Sequence, residues 1–283
     1  MTSEKIGVVG AGLMGAEIAF IYALAGHDVL LNDRTEELLA AAMKRLDGIF
    51  EKGIARGFYK AEDHKPTLAR IRTGASLEPF ADRDVVFEAV FEDEAVKAET
   101  WRKLDRICKP DALFATNTSS IAISTLASYV GEARRQRFLG THYFSPVSRM
   151  NLVEIIPAFA TSEDAVETAM RLCRGAGKTP IRVKDVVGFA VNRMLHAFMI
   201  EAVKLVEEGV ATPEDIDTAC RLGLGHPMGP FELMDATTSS LCLQVQEILF
   251  EAYGERFRPP ALLKQKVKAG HIGRKVGKGW RVG

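Results

Sequence analysis

The first apolar run of the chain is short and leads directly into glycines. Residues 6–9 are apolar, and residues 10–15 read Gly-Ala-Gly-Leu-Met-Gly. An apolar run of this length beside a glycine turn is typical of a buried parallel strand. Apolar positions then recur at helical spacing over residues 16–24, and a second apolar run at 29–31 ends beside Asp33. The pattern predicts a strand, a glycine turn, a helix, a second strand and an acid.

The residue types in this turn suit the binding of a dinucleotide. Gly10 permits a tight turn, Gly12 leaves room for a pyrophosphate beside the backbone, and Gly15 lets the helix pack closely on the strand. The N-terminus of the helix offers unpaired N–H groups and the positive end of a dipole to the phosphates. The predicted cofactor site therefore includes Leu13 and Met14 as well as the three glycines.

Asp33 decides which dinucleotide is expected. A carboxylate at the C-terminal end of the second strand can accept hydrogen bonds from both ribose hydroxyls, and it would repel a 2′-phosphate. This favours NAD over NADP, although Arg34 beside it leaves an opening for NADP. The predicted cofactor is NAD.

Composition narrows the class of protein. The chain has 283 residues, of which 47% are apolar and 26% charged, as is usual for a globular protein. Its 37 Lys and Arg balance its 37 Asp and Glu, so no nucleic-acid partner is expected. We expect neither a secretory signal nor a membrane span. The four scattered cysteines suit reduced thiols in a cytoplasmic protein rather than disulfides or a metal site.

The alternation of strands and helices ends near residue 186. Further strands are predicted at 84–90, 113–116, 137–141, 151–156 and 180–183, and further helices at 36–53, 95–107, 121–130 and 165–176. Only helices follow, at 191–208, 215–222, 230–253 and 259–269. The prediction is an α/β, Rossmann-like domain with a mostly parallel sheet over 1–186 and an all-α domain over 187–283. Because the apolar helical domain is expected to bury a partner face, we predict a homodimer.

Polar side chains follow two of the predicted strands at the edge where open α/β sheets bind ligands. Glu92 follows the third strand, and Lys97 is close enough in sequence to reach the same rim. Both could also be ordinary loop and first-turn charges. Ser119 and Ser120 follow the fourth strand, where they either cap the next helix or contact a substrate beside the nicotinamide.

His142 and Glu154 form the candidate acid–base pair. His142 ends the fifth strand, and Glu154 lies in the sixth strand, 12 residues later. A carboxylate on a neighbouring strand can fix the histidine tautomer and stabilise its protonated form. A purely structural histidine is the alternative. The other histidines have no such partner in sequence and are interpreted as turn or surface residues: His27, His64, His196, His226 and His271.

Two further features have open interpretations. Asn192 stands in the first turn of the first C-terminal helix, where it either makes a cap or interdomain hydrogen bond or binds a substrate oxygen. The segment that contains Lys52, Arg56, Lys60 and Lys65 is basic, and its helical pattern is interrupted. It is either a solvated helical face or a clamp for a polyphosphate tail on the substrate.

The motifs resemble those of short-form L-3-hydroxyacyl-CoA dehydrogenases of the 3-hydroxybutyryl-CoA dehydrogenase type. The resemblance covers essentially the full length and rests on the segments IGVVGAGLMGAEIA, FEAVFED, NTSS, HYFSPVSRMNLVEII, DVVGFAVNRM, ATPEDIDTACRLG, HPMGPFELMD and GRKVGKGW. It implies a Rossmann-like domain joined to a helical domain that dimerises. It also implies NAD-dependent, reversible oxidation of (S)-3-hydroxyacyl-CoA to 3-oxoacyl-CoA in fatty acid metabolism.

The resemblance implies roles for individual residues. His142 matches the family's base and Glu154 its paired carboxylate, so that His142 removes the proton of the C3 hydroxyl as hydride passes to the nicotinamide. Ser119 and Asn192 match residues that contact the substrate's hydroxyl and thioester region, and Ser119 is also assigned to the cofactor site. The matching cofactor positions are Gly10, Gly12, Gly15, Asp33, Glu92 and Lys97.

The chain also departs from the family pattern near these residues. Ser145 stands where the family usually has asparagine, Ser148 where it has proline and Asn151 where it has lysine. Residues 236–241 replace a glycine-leucine-aspartate motif. These changes leave the base pair intact but open an alternative substrate, a 3-hydroxy acid without CoA such as L-gulonate or carnitine. A non-catalytic NAD-binding protein, as among lens crystallins related to this family, is a remoter alternative.

Overall fold

The computed structural model describes residues 3–281. Its strands are β1 Lys5–Val9, β2 Asp28–Asn32, β3 Ile71–Gly74, β4 Val85–Glu88, β5 Leu113–Thr116, β6 Phe138–Tyr143, β7 Leu152–Pro157 and β8 Thr179–Arg182. They form one sheet in the order β3-β2-β1-β4-β5-β6-β7-β8. Neighbouring strands are parallel except β6 and β7, which are antiparallel. The predicted Rossmann-like, mostly parallel sheet is confirmed.

Helices connect these strands, and several begin at a capping side chain. They are α1 Leu13–Leu24, α2 Glu36–Ala55, α3 His64–Ala69, α4 Glu94–Ile107, α5 Ile123–Ala127, α6 Glu132–Arg135 and α7 Glu163–Gly175. Thr35, Asp93 and Ser162 each accept a first-turn N–H, at the starts of α2, α4 and α7. The apolar faces of α1, α2 and α7 share one buried core with the strands.

α5 is shorter than predicted, and its cap is different. The carboxylate of Asp185 accepts hydrogen bonds from the N–H groups of Ile123 at 2.9 Å and Ser124 at 2.8 Å. Of the two interpretations of Ser119 and Ser120, the helix cap is wrong, because a carboxylate distant in sequence satisfies the first N–H groups of α5.

β3 was not predicted from the hydrophobic pattern. It lies at the edge of the sheet, and only Ile71 among its four residues is buried. Because the segment has no alternating apolar face, it lacks the periodicity by which a strand is recognised in sequence.

The chain divides into two compact units between Asp185 and Val186, one residue before the predicted boundary. The second unit contains α8 Val191–Glu207, α9 Pro213–Gly223, α10 Pro230–Thr237, α11 Ser239–Tyr253 and α12 Ala261–Lys268. The helical character of this unit is confirmed, and the stretch predicted as helical at 230–253 is divided into two helices. Thr238 has a φ of 98° and ends α10, and its hydroxyl accepts the N–H of Leu241 at the start of α11. Among residues 3–281, no helix is both long and apolar enough to cross a bilayer.

Candidate functional site

In the turn between β1 and α1, Gly10 and Gly15 have no room for a side chain, whereas the space beside Gly12 is open. Gly10 has a φ of +98°, and a Cβ there would lie 2.5 Å from the carbonyl oxygen of Ala89. A Cβ on Gly15 would lie 1.9 Å from the carbonyl oxygen of Gly10, whereas a Cβ on Gly12 would meet nothing within 4 Å. α1 begins at Leu13, three residues earlier than predicted, so its unpaired first-turn N–H groups directly follow this opening.

A cavity of about 630 Å³ lies beside this turn. Its lining includes Gly10, Asp33 at the end of β2 and the exposed ring of Phe91 in the loop after β4. The Asp33 carboxylate accepts hydrogen bonds from the N–H groups of Ala11 and Arg34, each at 2.7 Å. Asp33 therefore ties the glycine turn to β2 while lining the cavity, where its oxygens can still accept bonds from a sugar.

β6 and β7 place the two predicted acid–base residues directly opposite each other. His142 pairs with Glu154 in the antiparallel register, and Nδ1 of the imidazole lies 2.7 Å from Oε2 of the carboxylate. Both residues are buried, with 6% and 0% of their surface exposed. A carboxylate at this distance favours the tautomer with hydrogen on Nδ1 and stabilises the imidazolium. Nε2 is then the nitrogen suited to exchange a proton with a substrate.

Lys97 lies at the centre of a buried ionic network. Its ammonium is 2.6 Å from Oε1 of Glu88 and 3.2 Å from Oε2 of Glu92. Lys97 and Glu88 are fully buried, so Lys97 reaches Glu92 on the rim from inside the protein and is not an exposed first-turn charge. The hydroxyl of Thr116 also donates to Glu88, at 2.7 Å. Glu88 was missed from the sequence, although an acid inside an apolar strand is the signal that could have identified it.

Glu92 connects this network to the polar loop after β5. Its Oε1 accepts hydrogen bonds from the N–H groups of Ser119 at 2.9 Å and Ser120 at 3.2 Å, and from the hydroxyl of Thr118. Burial acts to raise the pKa of Glu92, but the Lys97 ammonium and these hydrogen bonds outweigh burial and lower the pKa. Glu92 therefore holds, as a carboxylate, the loop that carries Ser119.

The same loop is fixed to the strand that carries His142. The side-chain oxygen of Asn117 accepts the N–H of Tyr143 at 3.0 Å. Ser119 therefore lies at the sheet edge where the C-terminal ends of β1, β4, β5 and β6 meet, as do His142 and the glycine turn. Asn192 belongs to the second unit, where it is half-buried in the first turn of α8, and its substrate contact stays a prediction.

Three of the remaining histidines have surroundings that the sequence did not indicate. His27 is buried, and its Nδ1 accepts the N–H of Glu4 at 3.0 Å. His196 is also buried, and burial lowers its pKa to about 4. His64 has a partner that the sequence did not indicate, since its Nε2 lies 2.7 Å from Oδ1 of Asp47. Each of these side chains therefore has a structural environment of its own.

A second cavity, of about 190 Å³, lies between α1, the end of α2 and residues 144–151. We call residues 144–151, which join β6 to β7, the connecting loop. Three cationic side chains line this cavity: Lys52, Arg56 and Arg149. The guanidinium carbon of Arg149 lies 3.7 Å from the centre of the Phe58 ring, in cation–π contact.

The predicted basic segment contributes only part of this lining. Lys52 and Arg56 belong to it, whereas Lys60 and Lys65 are exposed elsewhere on the surface. Arg149 was missed, because no local pattern in the sequence brings the connecting loop to this segment.

Both units match models of known protein families. Residues 5–186 match the NAD binding domain of 3-hydroxyacyl-CoA dehydrogenase, and residues 188–282 match the C-terminal domain of 3-hydroxyacyl-CoA dehydrogenase.

Individual relatives resemble the chain over its full length. It is 39% identical to a probable 3-hydroxybutyryl-CoA dehydrogenase of Deinococcus radiodurans over 280 residues. This match covers 98% of this chain and 99% of that protein. A probable 3-hydroxybutyryl-CoA dehydrogenase of Bacillus subtilis is 40% identical over 281 residues, or 99% and 97% of the two chains. The crystal structure of (S)-3-hydroxybutyryl-CoA dehydrogenase from Ralstonia eutropha matches with a TM-score of 0.95 and 35% identity, over 99% of each chain.

Proposed function

Because the chain belongs to the 3-hydroxyacyl-CoA dehydrogenase family, we propose that it catalyses the reversible, NAD-dependent oxidation of (S)-3-hydroxyacyl-CoA to 3-oxoacyl-CoA. The observation that carries this proposal is the buried pair of His142 and Glu154, 2.7 Å apart. His142 lies at the end of β6, at the sheet edge that also bears the glycine turn, so the proposed acid–base group and the proposed dinucleotide site share one edge.

The glycine turn fits the cofactor. The opening at Gly12 and the first-turn N–H groups of α1 suit a pyrophosphate, because no side chain blocks the approach to the backbone. Asp33 lines the larger cavity, where it suits the ribose hydroxyls and disfavours a 2′-phosphate. When bound, NAD supplies a nicotinamide ring that accepts the hydride from C3 of the substrate.

His142 carries the proton in this proposal. Its Nε2 accepts the proton of the C3 hydroxyl as the C3–H bond breaks, and the Glu154 carboxylate stabilises the resulting imidazolium. In the direction of reduction, the imidazolium returns the proton to the 3-oxo oxygen. Ser119 and Asn192 are proposed to orient the substrate oxygens, and such positioning lowers the barrier by restricting the reacting groups to a productive geometry.

The smaller cavity is proposed to receive the nucleotide end of CoA. Lys52, Arg56 and Arg149 supply positive charge for its phosphates. L-gulonate and carnitine carry no phosphate groups, so three cations at one cavity favour a CoA thioester over these alternative substrates.

The exposed surface of the second unit supports the proposal of a homodimer, which we place in the cytoplasm and in fatty acid metabolism. Leu222 is 83% exposed, Met194 66% and Leu224 63%. Large apolar side chains that remain exposed on one small unit favour a surface covered by a partner.

A substrate panel tests the reaction. Initial rates are measured with NADH and acetoacetyl-CoA, and separately with NAD and L-gulonate or L-carnitine. We expect turnover of the thioester alone. Turnover of one of the other two compounds without turnover of the thioester would replace the proposed substrate class.

Substitution of the base tests the mechanism. For His142→Ala we expect kcat to fall about 10²–10⁴-fold, the usual contribution of general acid–base catalysis, while the Kd of NADH from fluorescence titration is retained. Glu154→Gln should lower kcat in the same direction, because the tautomer and the imidazolium lose their support. His226→Ala, at an exposed histidine of the second unit, is the matched control. An unchanged kcat in His142→Ala would remove the assignment.

A further inference from the structure

The connecting loop is held from two sides by buried charged side chains. Glu17 on α1 is 7% exposed, and its Oε2 accepts the N–H of Ser148 at 2.7 Å. Lys178, just before β8, is also 7% exposed, and its ammonium donates to the carbonyl oxygens of Val147 and Met150, the latter at 2.9 Å. The proposed chemistry uses neither charged group.

Both groups depend on the backbone of the loop. Burying a charge is costly unless hydrogen bonds compensate for the lost water. Among residues 3–281, the hydrogen bonds of the Glu17 carboxylate and the Lys178 ammonium are made with backbone groups of the loop. Burial lowers the pKa of Lys178, and the nearby Glu17 carboxylate opposes this change. The position of the loop and the burial of the two charges are therefore linked.

The loop held in this way forms one wall of the smaller cavity. Ser148 and Arg149 line the cavity together with Glu17 itself. Arg149 follows Ser148 directly and stacks on Phe58, which belongs to the segment after α2. A displacement of the Ser148 backbone would therefore also displace the guanidinium that faces the cavity.

The hydrogen bond depends on the residue type at position 148. The donor is the backbone N–H of Ser148, and proline has no N–H to donate. The bond between Glu17 and Ser148 is therefore open to this chain and closed to one with proline at that position.

We propose that Glu17 is a positioning residue that determines selectivity for the CoA tail. By holding the N–H of Ser148, it keeps Arg149 at the cavity wall, where the guanidinium can meet the phosphates of a CoA thioester. The inference rests on the proposed function. It predicts that Glu17 affects recognition of the nucleotide end of the substrate more than recognition of the acyl end.

The test compares two thioesters that differ only in the nucleotide. Glu17→Ala, which removes the acceptor, and Glu17→Gln, which keeps an acceptor oxygen, are assayed with NADH on acetoacetyl-CoA and on acetoacetyl-pantetheine. For Glu17→Ala we expect the ratio of kcat/KM for the CoA thioester to kcat/KM for the pantetheine thioester to fall about tenfold, through KM. Glu17→Gln should keep most of the wild-type ratio.

Ser148→Pro removes the donor and should lower the same ratio. The double variant Glu17→Ala with Ser148→Pro should have a ratio no lower than the lower of the two single-variant ratios, because both changes break the same bond. Glu167→Ala, at an exposed glutamate of α7, is the matched control, and thermal unfolding shows which variants fold. Glu17→Gln and Ser148→Pro carry the test if Glu17→Ala does not fold.

Each outcome separates the inference from the function. An equal loss on both thioesters, or no loss on either, would overturn the selectivity role of Glu17 and leave the proposed reaction in place. A wild-type enzyme that turns over neither thioester would instead overturn the proposed function, together with the inference that rests on it.

Discussion

Lys97 neutralises two carboxylates inside the first unit, and one of them, Glu88, has no contact with solvent. The sequence correctly marks Lys97 as a residue near the ligand edge of the sheet. It does not show which way the side chain points, because the amphipathic pattern of α4 places a charge in its first turn without naming a partner. The partner lies on β4, and only the packing of α4 against the sheet brings the two together.

This network makes a prediction about stability. Lys97→Met leaves the Glu88 carboxylate buried without its cation, so we expect the free energy of unfolding to fall by about 3–5 kcal/mol. Adding Glu88→Gln to Lys97→Met should recover part of the loss, because an amide carries no charge. Urea unfolding measures both values. Lys103→Met on the same helix is the control, since its ammonium is half-exposed and pairs with Glu99 at the surface. Equal losses for Lys97→Met and Lys103→Met would contradict the network's role.

The pair of His142 and Glu154 could be predicted, but the surroundings of the smaller cavity could not. A histidine and a glutamate on successive strands come together through ordinary strand pairing, which the sequence pattern reports. Arg149 reaches Phe58, and Glu17 reaches Ser148, only through the folded arrangement of separate elements. These contacts produce no periodic pattern in the sequence from which they could be predicted.

Among the helices and strands, the errors occur where a single residue or a distant contact overrides the local pattern. Thr238 adopts a positive φ, which is uncommon for a β-branched residue, and so divides an otherwise continuous apolar run into α10 and α11. Asp185 caps α5 from another part of the chain. β3 has one buried residue and no alternation. The long amphipathic elements, in contrast, agree with their predicted positions.

α8 contains a histidine whose burial makes the stability of the second unit depend on pH. Burial lowers the pKa of His196 from its ordinary value of 6.5 to about 4, and its Nδ1 has no hydrogen-bond partner among residues 3–281. The unfolded chain therefore binds a proton that the folded chain excludes. The stability contributed by the neutral imidazole is complete above pH 6.5, falls as the pH drops, and reaches its minimum near pH 4.

From these values we expect His196 to reduce the free energy of unfolding by about 2 kcal/mol between pH 7 and pH 5. Urea unfolding of the wild type and of His196→Leu at the two pH values measures the effect, which should be absent from the variant. His226→Gln, at an exposed histidine, should keep the wild-type pH dependence. The same dependence in His196→Leu would show that another group is responsible.

At the scale of the whole molecule, the sheet order explains why the glycine turn lies at a ligand site. β1 lies between β2 and β4, so the chain runs outward in opposite directions on its two sides. Ligands in open α/β sheets bind at such a reversal, outside the carboxyl ends of the strands. Alternating strands and helices predicted a parallel sheet, but strand order and the antiparallel β7 depend on pairings between distant segments.

The second unit makes a prediction about assembly. We expect sedimentation equilibrium to give a mass about twice the 31.0 kDa of one chain. Leu222→Glu should shift the protein toward the monomer, because a charge would enter the apolar surface that is proposed to meet the partner. Phe159→Glu, at a residue of the first unit that is 95% exposed, is the control and should leave the mass unchanged. A wild-type monomer at micromolar concentration would contradict the proposed homodimer.

The antiparallel alignment of β6 and β7 also limits how the connecting loop can change in length. Successive residues of a strand point to opposite faces of a sheet, so a slip of one position would turn the Glu154 carboxylate away from His142. An insertion that bulges outward from the loop would leave His142 and Glu154 aligned, whereas one absorbed by sliding β7 would separate the two groups at once. Engineering of this hairpin should therefore leave the alignment of the two strands fixed and place any added residue outside residues 147–150, whose backbone Glu17 and Lys178 hold.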